Sequence, residues 1–317
     1  MSSSVSFAGV SYHRITQHLS RRRVLVTLLA VLLGTVVAPI PVTLIALRLP
    51  SEGLPVLGPF TELVLSLAAI GCILPVTLLI VRVGERRGVG TLSSVVGRLR
   101  WRWLALCLLI AGTCIGVALC LGLLTAAFVK ASAGASGGGS EPQTSTWIGI
   151  GPALTVLQFM MALTAVQVAA EETVCRGVIL QAVGRLFRSP WPAIGVQAVI
   201  FTALHGFGGG WWGQLGVLAF GVALGWLTVR TGGLEAALAF HFVQNGLVAV
   251  VAVAAGATDP NANATAAPWP LAVAIAATVG TYAVATSLAA RLCGITPPRP
   301  TPGDLDQTTS PSPASTN

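Results

Sequence analysis

Runs of about 20 apolar residues recur along this 317-residue chain, and they restrict its fold more than any other sequence feature. Roughly 20 helical residues cross a hydrocarbon core about 30 Å thick, and lipid offers no hydrogen-bond partner to an irregular backbone. Charged residues form only 9% of the sequence, against about 25% in soluble domains. The predicted fold class is therefore all-α: a polytopic membrane helix bundle with about eight transmembrane helices.

The eight predicted spans are 24–47, 61–81, 101–128, 148–187, 190–205, 215–229, 234–255 and 269–292. Pro39 and Pro41 are expected to kink the first span, and Gly221 and Gly225 to allow close helix approach in the sixth. These spans divide the chain into five predicted parts: a flexible cytoplasmic N-terminal arm (1–23), N-terminal transmembrane helices (24–130), a flexible extracytoplasmic loop (131–147), a helical core (148–293) and a disordered tail (294–317).

An even number of spans places both termini on one side of the membrane, and the basic residues indicate which side. The net charge is +8, yet the Lys and Arg residues lie between apolar runs, which favours a topology signal and no nucleic-acid partner. Two of them, Arg48 and Lys130, fall on one predicted side, and Arg176 lies within a span. The other fifteen fall on the opposite side: Arg14, Arg21–Arg23, Arg82, Arg86, Arg87, Arg98, Arg100, Arg102, Arg185, Arg188, Arg230, Arg291 and Arg299.

Both termini are therefore predicted to be cytoplasmic. The Ala/Val/Gly/Arg-rich composition is typical of a high-GC bacterium, so we expect the bacterial plasma membrane. The six cysteines lie in or beside apolar runs without C-x-x-C spacing, and we interpret them as small buried hydrophobic residues, neither disulfides nor a zinc site.

Two adjacent glutamates, Glu171 and Glu172, interrupt the otherwise uncharged fourth span. Ionised groups at membrane depth are costly, and they are usually paired, interior-facing and functional. Glu172 and Arg176 are four residues apart with the acid first, which favours a side-chain pair on a helix. Glu171 lies about 100° further round the helix and is predicted to lack a local partner.

Three polar residues interrupt the following spans in a patterned way. His205 ends the fifth span, and His241 and Asn245 share one face of the seventh because they are four residues apart. Counted at about 1.5 Å per residue, Glu171 and these three residues all lie within the membrane. A single enclosed polar site is therefore geometrically feasible.

The three motifs Glu171-Glu172-x-x-x-Arg176, Phe201-x-x-x-His205 and His241-x-x-x-Asn245, in this order, resemble the CAAX protease and bacteriocin-processing (CPBP, or Abi) family of intramembrane proteases. The resemblance covers roughly residues 148–250. It implies a CPBP-type protease core at 148–293 and an intramembrane endopeptidase similar to CAAX prenyl protease 2. In that family, relatives from eukaryotes cleave the last three residues from prenylated CAAX proteins.

The resemblance also implies roles for the residues. Glu171 and His205 would activate a water, His241 and Asn245 would bind the oxyanion, and Glu172 with Arg176 would support the site. The family is also described as metalloprotease-like, and Glu171, His205 and His241 could ligate zinc as a divalent metal cofactor. The H-E-x-x-H signature is absent, which favours a metal-free mechanism.

Two other function classes remain open at this point. A proton-coupled transporter could use Glu171 and the histidines as a relay, although the sequence has no clear inverted halves. An inactive immunity or scaffold membrane protein could keep the motifs without the activity. The expected partners are the lipid bilayer and a membrane-associated peptide or protein substrate, whose identity the sequence does not give.

Overall fold

A computed structural model of the chain describes residues 10–50, 53–132, 148–257 and 264–295. These residues are almost all helical, and their one β-like feature is an isolated bridge between Ser94 and Gly233. The predicted all-α membrane bundle is therefore confirmed.

The N-terminal half begins with a 3-10 helix, Tyr12–His18. Six α-helices follow it: α1 (Arg21–Val37), α2 (Ile40–Ala46), α3 (Thr61–Gly71), α4 (Ile73–Gly84), α5 (Gly90–Ser93) and α6 (Trp101–Ser132).

The C-terminal half contains a π-helical segment, Thr173–Ile179, which continues the first helix of this half without a break. Its α-helices are α7 (Ile150–Glu172), α8 (Leu180–Gly184), α9 (Trp191–Leu204), α10 (Trp211–Thr231), α11 (Glu235–Ala255) and α12 (Trp269–Leu292).

Seven stretches of the described residues are long and apolar enough to cross a membrane, and they correspond to seven of the eight predicted spans. The protein is thus an integral membrane protein. The predicted fifth span differs, because α9 has only 14 helical residues. At 1.5 Å per residue it is about 21 Å long, which is shorter than a hydrocarbon core of about 30 Å. Pro190 precedes this helix, and Gly206, with a φ of 80°, follows its C-terminal cap.

Prolines determine where the first two spans bend. A proline ring clashes with the carbonyl group four residues earlier and donates no hydrogen bond to it. Helix α1 ends at Val37, four residues before Pro41, so the predicted kink is confirmed. The break between α3 and α4 after Gly71 was not predicted, although Pro75 explains it in the same way.

Small residues bring α9 and α10 close together. A Cβ atom added to Gly221 would lie 3.1 Å from the Cα atom of Ala198, and one added to Gly225 would lie 3.4 Å from Ile194. The close helix approach predicted for the two glycines is therefore confirmed.

The flexibility predicted for the N-terminal arm is wrong for the residues described from position 10 onwards. Tyr12, His13, Ile15 and Thr16 are buried, and the Tyr12 hydroxyl donates a hydrogen bond to the Leu92 carbonyl. The serines and arginines of this arm favour flexibility, whereas Tyr12 and Ile15 supply apolar surface that the fold buries.

Several loops meet at one end of the bundle. Arg100 holds Glu235 with Nε at 2.9 Å and Nη2 at 2.7 Å, which ties the start of α6 to the start of α11. The Arg185 guanidinium donates to backbone carbonyls of the N-terminal segment, Thr16 among them at 2.9 Å. This basic end gathers segments that the sequence assigns to the cytoplasm, an assignment that stays a prediction.

The remaining domain predictions fall partly outside the described residues. The loop proposed at 131–147 and the tail at 294–317 are described only at positions 131, 132, 294 and 295. All six cysteines are free thiols. Cys107 and Cys175 are buried as expected, whereas Cys120 and Cys293 are exposed on the surface of the bundle.

Candidate active site

The paired glutamates lie where the α-helix changes to a π-helix. Glu171 and Glu172 are the last two residues of α7, and Arg176 lies in the π-helical segment. π-helical turns are rare, and those that do occur are frequently at functional sites. Every residue of this segment is buried. The motif therefore lies inside the bundle, where its charged groups must find partners within the protein.

Glu172 is held by two groups at one oxygen atom. Its Oε1 lies 3.0 Å from Nη1 of Arg176 and 2.7 Å from Nδ1 of His241. All three side chains are at least 97% buried. The ion pair between Glu172 and Arg176 that the sequence predicts is present. The bond to His241 was not predicted, and it means that Glu172 also orients a candidate catalytic histidine.

Glu171 has a local partner, contrary to the sequence prediction. Gln167, one turn earlier on α7, donates from Nε2 to Oε1 of Glu171 at 2.6 Å. The side-chain oxygen of Gln167 in turn accepts a hydrogen bond of 3.2 Å from Nδ2 of Asn245 on α11. Gln167 thus links the carboxylate to the asparagine. Its position four residues before Glu171 was the signal that could have identified it.

The second oxygen of Glu171 faces His241. Its Oε2 is buried, has no hydrogen bond, and lies 3.5 Å from Nε2 of His241. The Glu171 side chain keeps 18% exposure, whereas that of Glu172 has none. Glu171 is therefore the more accessible of the two glutamates.

His205 reaches this cluster by way of Phe201. It caps the C-terminus of α9, and its Nδ1 lies 2.8 Å from the Phe201 carbonyl oxygen. The Phe201 ring lies 4.5 Å from the His205 ring and 5.9 Å from the His241 ring, measured between centroids. The Arg176 guanidinium stacks on the same phenyl ring at 4.1 Å, a favourable cation–π contact.

The candidate metal ligands do not converge in this arrangement. Among the described residues, no three His, Cys, Asp or Glu side chains form a group that could hold a metal ion. Glu171, His205 and His241 therefore do not form such a group either. Nδ1 of His241 is already engaged by Glu172. This contact leaves Nε2 of His241 open to a metal, since zinc-binding histidines commonly hold a carboxylate at their other ring nitrogen, and zinc binding stays a prediction.

The fold and the site define a class: a polytopic helical membrane protein with a buried carboxylate–histidine cluster built from α7, the π-helical segment, α9 and α11. Residues 152–247, which contain the whole cluster, match the family model described as type II CAAX prenyl endopeptidase Rce1-like. This match confirms the resemblance that the three motifs predict.

A curated relative is similar over a shorter stretch. The chain is 32% identical over 95 residues to the uncharacterized protein YyaK of Bacillus subtilis (strain 168), and this stretch covers 28% of the chain. The chain spans about a third of the length of that relative, since the match covers 32% of it. No solved structure matches.

Proposed function

We propose that the protein is an intramembrane endopeptidase that hydrolyses a peptide bond of a membrane-associated protein or peptide. One observation carries this proposal. Within the segment that matches the endopeptidase family, Glu171 is partly buried, one of its oxygens is fixed by Gln167, and the other has no hydrogen bond. A carboxylate held in this way can accept a proton from a water.

In the proposed reaction, Glu171 and His205 hold the attacking water. Oε2 of Glu171 takes one proton of this water, and the hydroxide adds to the peptide carbonyl carbon. The C–N bond then breaks as that proton passes to the leaving amine nitrogen. Gln167 keeps the carboxylate in position because it fixes Oε1 at 2.6 Å. Correct positioning of reacting groups contributes several kcal/mol to catalysis, up to about 10.

His241 and Asn245 are the proposed donors to the oxyanion. Because Nδ1 of His241 donates to Glu172, its Nε2 carries a proton only when the ring is doubly protonated. Asn245 spends one of its two N–H groups on Gln167 and keeps the other for the substrate.

Arg176 completes the charge balance of the cluster. It is fully buried, neutralises Glu172 and rests on the Phe201 ring. We assign it and Glu172 a positioning role, because Glu172 sets the orientation of His241. The proposed mechanism needs no metal, so thorough chelation should leave full activity. Loss of activity that zinc restores would contradict it.

The decisive experiment compares cleavage by the native protein and by Glu171→Gln, purified and reconstituted in lipid vesicles. A prenylated CAAX peptide and a membrane-protein extract serve as substrates, read by mass spectrometry of the products. Glu62→Gln is the matched control, since Glu62 is an exposed acid in the first turn of α3. We expect cleavage by the native protein and the control, and none by Glu171→Gln.

Equal cleavage by Glu171→Gln would refute the proposal. Proton flux that depends on Glu171 without any cleavage would favour the transporter alternative. A folded native protein that neither cleaves nor moves protons would favour the immunity or scaffold alternative.

A further inference from the structure

An apolar groove lies on the surface of the bundle, away from the carboxylate–histidine cluster. It has a volume of about 550 Å³, which falls within the range of about 300–1,000 Å³ typical of ligand sites. One face of α10 from Leu215 to Trp226 forms its floor, and Trp191 of α9 and Ala283 of α12 form its sides. Leu215 and Trp191 are exposed there, so the groove opens towards the lipid.

The length of the groove matches one leaflet of a bilayer. Leu215 and Trp226 are eleven residues apart, which corresponds to about 16 Å along the helix axis. Half of a hydrocarbon core about 30 Å thick is about 15 Å. An acyl chain that begins at the membrane surface would therefore run along the whole groove.

Two arginines lie beyond the tryptophan end of the groove. Arg230 follows Trp226 by one helical turn, so it continues the same face of α10. On α9, Ala198 lies opposite Gly221 and Ile194 lies opposite Gly225, so the start of α9 lies beside the Arg230 end of α10, and Arg188 lies three residues before that start. Neither arginine takes part in an ion pair among the described residues.

We propose that this groove binds an anionic phospholipid, with an acyl chain between α9, α10 and α12 and the phosphate headgroup at Arg188 and Arg230. Trp191 and Trp226 line the groove at the end near these arginines, and tryptophan is enriched at the headgroup boundary of membranes. Basic pockets between transmembrane helices are known to bind anionic headgroups. This site does not depend on the proposed protease activity, because none of its residues touches the catalytic cluster.

The test is native mass spectrometry of the purified protein with phosphatidylglycerol or with phosphatidylcholine of identical acyl chains. We expect the native protein to prefer phosphatidylglycerol. Near a membrane surface each basic residue contributes roughly a fivefold effect, so Arg188→Gln with Arg230→Gln should weaken phosphatidylglycerol binding about thirtyfold. Phosphatidylcholine binding should stay unchanged in that double variant.

The matched control is Arg82→Gln, an exposed arginine in the last turn of α4, which does not line the groove. It should keep the preference of the native protein. A second variant, Ala219→Phe, fills the groove and should reduce the binding of both lipids. Equal binding of the two lipids by the native protein would overturn the proposal, as would an unchanged preference in the double arginine variant. Preferential binding of a prenylated peptide in the groove would also overturn it.

Discussion

Two neighbouring glutamates have opposite surroundings in this protein. Glu172 is completely buried, and both of its partners, Arg176 and His241, bond to the same oxygen. Glu171 points about 100° away on the helix, keeps some exposure, and is fixed by the neutral amide of Gln167. Removing a charge should therefore have different consequences at the two positions.

Arg176→Ala should destabilise the protein strongly. The change leaves Glu172 as an uncompensated charge, and breaking a buried pair costs about 3–5 kcal/mol. Glu171→Gln keeps its shape and can still bond to Gln167, so its melting temperature should stay close to that of the native protein. Thermal unfolding in detergent measures both. Equal losses of melting temperature in the two variants would contradict this division of roles.

Asn245→Ala separates an oxyanion donor from a residue that only joins two helices. Loss of one oxyanion donor typically lowers kcat by ~10²–10³ with little change in KM. A hydrogen bond between membrane helices contributes only about 0.6 kcal/mol on average. Gln167→Leu leaves Asn245 in place and removes both this interhelical bond and the bond to Glu171, so its melting temperature gives a lower limit for the loss of the interhelical bond alone.

We expect Asn245→Ala to melt no lower than Gln167→Leu and to lose activity with its KM unchanged. An Asn245→Ala enzyme with native kcat would leave Asn245 as a helix contact only. A loss of activity that is fully explained by a lowered melting temperature would lead to the same conclusion, that Asn245 is a helix contact only.

At the scale of elements, the sequence predicts which helices carry the site and misses how one of them is wound. The pairing of Glu172 with Arg176 follows from helical spacing, and so does the shared face of His241 and Asn245. The π-helical winding of Thr173–Ile179 was not predicted, since such turns are rare and helical spacing does not indicate them. The hydrogen bonds of Glu172 with His241 and of Gln167 with Asn245 were not predicted either, because they join different helices.

The N-terminal 3-10 helix is expected to dock in a pH-dependent manner. His13 is buried beside α8, and burial lowers its pKa; nearby Arg14 lowers it further, and a bond to the Arg188 carbonyl partly opposes this. The folded state thus binds fewer protons than the unfolded state. The contribution of His13 to stability is fully present above a pH of about 6.5 and decreases as the pH falls below it.

Limited proteolysis of the N-terminal segment at pH 7.5 and pH 5.5 measures this docking. Cleavage should be faster at pH 5.5 in the native protein, and His13→Gln should reduce the difference between the two pH values. In Gly184→Ala the N-terminal segment should be undocked at both pH values, because a Cβ atom at position 184 would overlap the His13 backbone. If the pH effect is equally large in His13→Gln, titratable groups other than His13 cause it.

At the scale of the whole molecule, charge and connectivity agree about which loops belong together. The N-terminal 3-10 helix, the segment before α6, the end of α8 and the start of α11 all meet at the basic end. Hydropathy and the basic residues were sufficient to predict this grouping. The predicted fifth span, 190–205, was already shorter than the roughly 20 residues of a full crossing, and the structure shortens it further to the 14 residues of α9.

Reporter fusions should place the basic end in the cytoplasm. Fifteen basic residues lie on that predicted side against two on the other, and positively charged loops stay on the cytoplasmic side during insertion. Alkaline phosphatase is active only outside the cytoplasm, so fusions after Thr61, Ser140 and Asn261 should be active, the last two lying outside the described residues. Fusions after Arg98 and Arg188 are the controls and should be inactive.

An active Arg188 fusion together with an inactive Asn261 fusion would mean that α9 and its neighbours cross the membrane in the opposite direction. With a cytoplasmic N-terminus, an inactive Ser140 fusion would mean that the chain crosses the membrane an even number of times before α7. The predicted orientation of the catalytic helix would then be reversed.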